Sequence, residues 1–158
     1  ILLIVILLMA MIVTKSKSNQ IFKEKSAIDI IDTMNQGIFV NYLTELYKHL
    51  GFTVNLPNKD EKNYCDIIVY NRKGKTCIKC YNHETDLSTV DFGTFIKKNN
   101  ELKRTKFMVI TNSFCDEDIK SFLQVKKIEV LERGFLLDSL NKLQEAEDKK
   151  KILLKFAK

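Results

Sequence analysis

Residues 65–81 read CDIIVYNRKGKTCIKCY, two runs rich in Ile, Val, Thr and Tyr on either side of the quartet Asn71, Arg72, Lys73 and Gly74. β-Branched and aromatic residues flanking a turn of this composition predict a β-hairpin. A loop from Asn71 to Gly74 pairs Tyr70 with Lys75, and continuing that register sets Asp66 directly opposite Lys79. Because side chains alternate along a strand, Cys77, Lys79, Tyr81 and, if the strand holds that far, His83 share one face with Asp66. A slip of two residues would bring Tyr81 opposite Asp66 instead.

Working outward, Phe52 to Leu56 reads as a short strand closed by Pro57 and Asn58, which makes the hairpin part of an antiparallel meander. Ahead of it, Phe39, Tyr42, Leu43, Leu46, Tyr47 and Leu50 recur at three- and four-residue spacing, which predicts a helix. Thr33 with Gln36 forms a capping-box pattern at its start, and Gly51 stands where a helix C-terminus wants it. After the hairpin, Ser88 is read as the cap of a helix running to about Leu102. Lys106 to Thr111 is a nearly continuous apolar strand of the kind covered on both faces. Asp116 to Lys126 is helical, Ile128 to Leu131 is a last strand, and helix resumes from Gly134. Strand alternating with helix implies right-handed parallel crossovers. The expected fold class is therefore α/β, a mixed central sheet with an antiparallel meander followed by parallel strands, flanked by helices.

The chain has 158 residues, enough for one domain of ordinary size. Hydrophobic residues make up 45% and charged residues 29%, so a core and a solvated surface are both affordable and wholesale disorder is excluded. Five Gly and one Pro exclude collagen-like and Pro-rich classes. Ile1 to Val13 carries no charge, and Lys15 and Lys17 follow at once. A run of thirteen is short of the roughly 20 residues that cross a bilayer. Residues 1–18 are read as part of a membrane anchor, with the lysines marking the cytoplasmic side. Residues 19–33 then form a short helix or linker, 34–143 the folded domain, and 144–158 a charged C-terminal helix. The formal charge is +6, and removing Lys15 and Lys17 lowers it to +4, a mild bias toward anionic partners.

Four cysteines, Cys65, Cys77, Cys80 and Cys115, are too sparse for a disulfide scaffold. Cys77 and Cys80 form a CxxC, but residues three apart on a strand point to opposite faces, so both are expected to be buried hydrophobes. His83 is expected to be an exposed loop residue, and His49 to sit against a helix C-terminus. Ser113, Phe114 and Cys115 precede a helix whose free N–H groups suit either a phosphate or simple N-capping. Lys97, Lys98, Lys103 and Arg104, with Lys106, cluster near the end of the middle helix as candidate contacts to DNA phosphates. Asp66 opposite Lys79 admits two readings. One is a cross-strand salt bridge worth at most about 1 kcal/mol. The other is phosphodiester hydrolysis, in which a carboxylate holds Mg²⁺ and a lysine stabilises charge on the phosphorane.

Three stretches resemble the catalytic domain of the Mrr-type restriction endonucleases, within the PD-(D/E)xK nuclease superfamily. They are FVNYLTELYKHLGFTV at 39–54, the hairpin at 65–81, and VITNSFCDEDIKSF at 109–122 followed by KIEVLERGFLLDSL at 127–140. The resemblance spans about Met34 to Leu143. It implies a restriction-endonuclease-like fold, a DNA partner, Mg²⁺ as cofactor, Asp66 as the metal-binding carboxylate, and Lys79 and Tyr81 within the catalytic motif. The motif of Gln or Glu, any residue, then Lys falls on Lys79, Cys80 and Tyr81 when no gap is opened, so Tyr81 stands at the lysine position and Lys79 at the metal-facing one. Val40 replaces the helical Glu that often follows Phe. Two readings remain. Lys79 does the lysine's work from two residues earlier, with Asp60, Glu61 or Glu84 as the second carboxylate, or the site has decayed and the chain binds without turnover.

Overall fold

The computed structural model describes residues 28–156, with side chains described as far as Glu147. The expected anchor at 1–18 and most of the 19–33 linker lie outside the described residues. Among the described residues no helix is long and apolar enough to cross a membrane.

Helix α1, Ile28–Ile31, is a single turn closed by the Thr33 hydroxyl, which donates to the Ile30 carbonyl at 2.8 Å. Thr33 is thus spent on α1, and the expected capping box does not form. Helix α2, Gln36–His49, is capped instead by Asn35, whose side chain accepts the Ile38 N–H at 3.0 Å. Its apolar stripe, Phe39, Tyr42, Leu43, Leu46 and Tyr47, is buried. The helix ends where Gly51, at φ +89°, takes up the left-handed conformation that only glycine adopts without cost.

The sheet has five strands in the order β1, β2, β3, β4, β5. Strands β1 (Thr53–Asn55), β2 (Ile67–Asn71) and β3 (Gly74–Tyr81) form the antiparallel meander. Strands β4 (Thr105–Thr111) and β5 (Glu129–Leu131) continue it in parallel. The hairpin register is the expected one, with Tyr70 facing Lys75 and Asn71 facing Gly74, so the two-residue slip is excluded. The α/β class with a mixed sheet, antiparallel then parallel, is therefore what the chain adopts.

Strand alternation sorts the core into two layers. Ile67, Val69, Ile78, Cys80 and Ile110 face α2 and the start of helix α5 (Arg133–Phe156), where Leu136 is fully buried. Cys65, Ile68, Cys77, Phe107 and Val109 face helices α3 (Gly93–Glu101) and α4 (Glu117–Val125) through Phe95 and Leu123. Both parallel crossovers, β3–α3–β4 and β4–α4–β5, thus lie on one face, as a single handedness of crossover demands.

Two boundaries differ from expectation. The helix read from Ser88 is split into a 3₁₀ turn at Leu87–Thr89, capped by Asp86, and α3 from Gly93. Asp86 accepts both the N–H and the hydroxyl of Ser88, which removes Ser88 as a helix cap. The helix expected from Gly134 and the charged C-terminal helix from 144 are one continuous element, Arg133–Phe156, so 143/144 is not a boundary in the backbone.

Candidate functional site

The hairpin ladder between β2 and β3 stops at Ile67 and Ile78, and Asp66 stands at its open end. The Asp66 N–H donates to the Ile78 carbonyl at 2.9 Å, and its carboxylate accepts from the two residues that follow Ile78. Oδ1 takes the Lys79 ammonium at 2.9 Å, and Oδ2 takes the Cys80 backbone N–H at 2.9 Å. Asp66 and Lys79 are therefore brought together as expected, on the face of the sheet that carries Ile68 and Cys77. Their side chains are only 20% and 23% exposed, so the pair is neither a freely solvated surface bridge nor a buried one.

Gln36 finishes the same edge, a role its sequence position did not signal. Beyond Asp66, β2 no longer covers β3, leaving the Cys80 carbonyl and the Asn82 N–H without a strand partner. The Gln36 amide replaces the missing strand, donating to the Cys80 carbonyl at 2.6 Å and accepting from Asn82 N–H at 3.0 Å. A side-chain amide has one donor and one acceptor group, as a peptide does, and can stand in for one. Asn82, itself buried, donates onward to the Met34 carbonyl and to Glu84.

Tyr81 lies on the Lys79 face but turns into the core. Its ring packs edge-on against Phe92 with centroids 6.0 Å apart, and burial, followed by the charge of Asp66 and the neighbouring Cys80, pushes its hydroxyl up to about 12. His83 falls in a turn past the end of β3 rather than on the strand face, and is exposed. Cys77 and Cys80 pack in opposite core layers, as alternation requires. A hydrogen bond with Cys65 and burial hold the Cys77 thiol well above its ordinary range, and burial does the same for Cys80.

Two of the three expected second carboxylates are engaged elsewhere. Glu61 pairs with Lys75 at 2.6 Å, toward the opposite end of β3, and Glu84 accepts from Asn82. Asp60 is exposed in the loop before β2. If Lys79 serves as the motif's lysine, the motif's carboxylate position falls on Cys77, a buried thiol. Val40 packs in the layer of α2, away from Asp66 and Lys79. Among the described residues no group of three or more His, Cys, Asp or Glu is arranged so as to hold a metal ion. Asp66 is the one carboxylate at this point, and two of its roughly four acceptor sites are taken, one on Oδ1 by the Lys79 ammonium and one on Oδ2 by the Cys80 N–H. An incoming dication would meet the Lys79 charge at the ligand atom itself.

The basic residues do not adjoin this pair. Lys75 faces Thr105 and Lys79 faces Val109, so Lys103 and Arg104 lie beyond the far end of β3, at least about 13 Å along the strand from Lys79. Lys98 is paired with Glu101 at 2.7 Å and sits 5.9 Å from the Tyr64 ring, while Lys97 is exposed on α3. At the start of α4, Cys115 N–H donates to Glu132 at 2.7 Å and Ser113 N–H to Thr111 at 3.1 Å. A carboxylate already occupies that end, and neither Ser113 nor Asp116 caps the helix through its side chain.

No protein-family model matches the chain, and no curated protein matches it. A solved structure described as a protein of unknown function, AF1548, resembles it at 15% identity and a TM-score of 0.46. The likeness covers 59% of this chain, and the chain spans about 55% of that protein's length.

Proposed function

We propose that this chain is a nucleic-acid-binding domain on an Mrr-type restriction-endonuclease scaffold that binds DNA without cutting it. One observation carries the reading. Asp66, the residue matching the metal-binding aspartate of that family, has its carboxylate spent on Lys79 and on the Cys80 N–H. The sheet order and the three matching stretches support the scaffold, and the exposed cations at the other end of β3 support the partner. In this role Asp66 and Lys79 hold the hairpin end in shape, and binding draws on phosphate contacts that need no metal. The proposal keeps the chain tethered to a membrane through its apolar N-terminal run, with the domain on the cytoplasmic side. It rests there on the uncharged stretch Ile1 to Val13 and on Lys15 and Lys17.

The test is a gel-shift titration of duplex DNA in EDTA and in magnesium. Equal, salt-sensitive shifts in both are expected. Binding that appears only with magnesium contradicts the reading and restores Asp66 as a metal ligand. Fractionation with membranes, resistant to high salt, tests the tether.

A further inference from the structure

The strongest unassigned feature is the tip where the β2–β3 turn meets the turn entering β4. Asn71 Oδ1 accepts the Lys73 N–H at 2.7 Å, an Asx turn that sets Arg72 and Lys73 at the apex. Gly74, at φ +131°, closes the turn in a conformation side-chain-bearing residues rarely adopt, and a Cβ there would touch the Arg104 carbonyl at 3.7 Å. The two turns therefore abut. Thr105 N–H bonds back to Leu102 at 2.8 Å, which fixes Lys103 and Arg104 beside them, and Lys106 follows one residue into β4 opposite Thr76.

Arg72, Lys73, Lys103, Arg104 and Lys106 are all exposed, and among the described residues none has an ion-pair partner. The flanking carboxylates are already neutralised, Glu61 by Lys75 and Glu101 by Lys98. By contrast Lys79, Lys120 and Arg133 are each tied to a carboxylate. Unspent positive charge stands elsewhere too, at Lys97 and Lys142 for example, but these five share a ridge three strands wide, about 10 Å at the usual strand spacing. That width suits a duplex groove of about 12 Å with phosphates on both lips. The tip residues Asn71 to Gly74, Lys103 and Arg104 are polar or glycine, which leaves no apolar wedge for a lipid surface.

We infer that this tip, rather than the Asp66–Lys79 pair, is where the phosphate backbone of a nucleic-acid duplex docks. The inference rests on the DNA-binding reading above and adds the surface that performs it. Five phosphate contacts predict that affinity falls about 500-fold between about 50 and about 200 mM salt, and three contacts about 40-fold.

The experiment is fluorescence anisotropy of the full chain on a short labelled duplex across that salt range. The parent is compared with Arg72→Gln/Lys73→Gln, with Lys103→Gln/Arg104→Gln and with Lys142→Gln, which removes an exposed cation far along α5. Each double variant is expected to bind more weakly and to flatten the salt dependence from the larger figure to the smaller, with Lys142→Gln behaving as the parent. Duplex binding with an unchanged slope in both double variants overturns the tip while leaving the DNA-binding reading intact. Absence of duplex binding by the parent overturns both. Loss of binding to phosphatidylserine vesicles in the double variants, with duplex binding unchanged, reassigns the tip to an anionic membrane and overturns the inference.

Discussion

The Lys79 ammonium lies 2.9 Å from Oδ1 of Asp66, while the other oxygen of the same carboxylate accepts the N–H of the next residue, Cys80. One side chain thus closes the hairpin through its backbone and through its charge together. The two roles separate on mutation. Asp66→Asn keeps an acceptor for Cys80 N–H and gives up only the ion pair, so it should cost about 1 kcal/mol or less. Asp66→Ala leaves that N–H without its partner and should cost about 1–3 kcal/mol. Lys79→Met combined with Asp66→Asn should recover part of the loss of either alone. Urea denaturation of the parent, the three single variants and the double variant measures it, and equal destabilisation by Asn and Ala would contradict the backbone role.

Gln36 supplies the strand edge that β2 lacks. Gln36→Ala should destabilise the domain by about 1–3 kcal/mol, because the Cys80 carbonyl of β3 and the Asn82 N–H just past it lose their partners in a half-buried setting. Gln36→Glu keeps the acceptor for Asn82 but turns a carboxylate oxygen toward the Cys80 carbonyl, so it should rescue little. Hydrogen exchange at Asn82 should accelerate in both variants.

Much of this architecture is legible in the residues themselves. The hairpin register follows from Asn71 to Gly74 and from period-two alternation, which is why Asp66 meets Lys79 where the sequence places them. The parallel half is legible because β4 is apolar on both faces. The edge role of Gln36 is not, since it spans 44 positions to Cys80 and no local pattern reports it. The start of α3 is also hidden. Asp86, Ser88 and Asp91 are all competent caps within six residues, and tertiary packing of Phe92 and Phe95 chooses among them. Nor does spacing reveal that both oxygens of Asp66 are engaged, because that depends on where β2 ends relative to Cys80.

Titration should destabilise the fold from both sides. The Lys75 ammonium, with the Asn58 N–H, holds Glu61 below the usual carboxylate range. Its stabilisation is therefore complete above the unfolded carboxylate range and is lost as pH falls through the folded value. Glu61→Gln/Lys75→Gln should flatten that acid limb. Tyr81 runs the other way. With its hydroxyl at about 12 when folded and about 10 when unfolded, it stabilises below about 10 and ceases to do so as pH rises toward about 12. Tyr81→Phe should remove its share of the alkaline limb, measured by thermal unfolding against pH.

All four thiols are buried, and Cys77, Cys80 and Cys115 are shifted away from thiolate. A thiol reagent should therefore react slowly with the native chain and with all four cysteines in denaturant. Rapid labelling of Cys77 or Cys80 in the native protein would mean that the hairpin opens readily.

Incubating supercoiled plasmid with the full chain, in magnesium and in EDTA, separates binding from cleavage. The plasmid is expected to be bound in both and to remain uncut in both, with Asp66→Ala changing neither outcome. Nicked circles that appear only with magnesium and vanish with Asp66→Ala would show a working nuclease and contradict binding without cleavage.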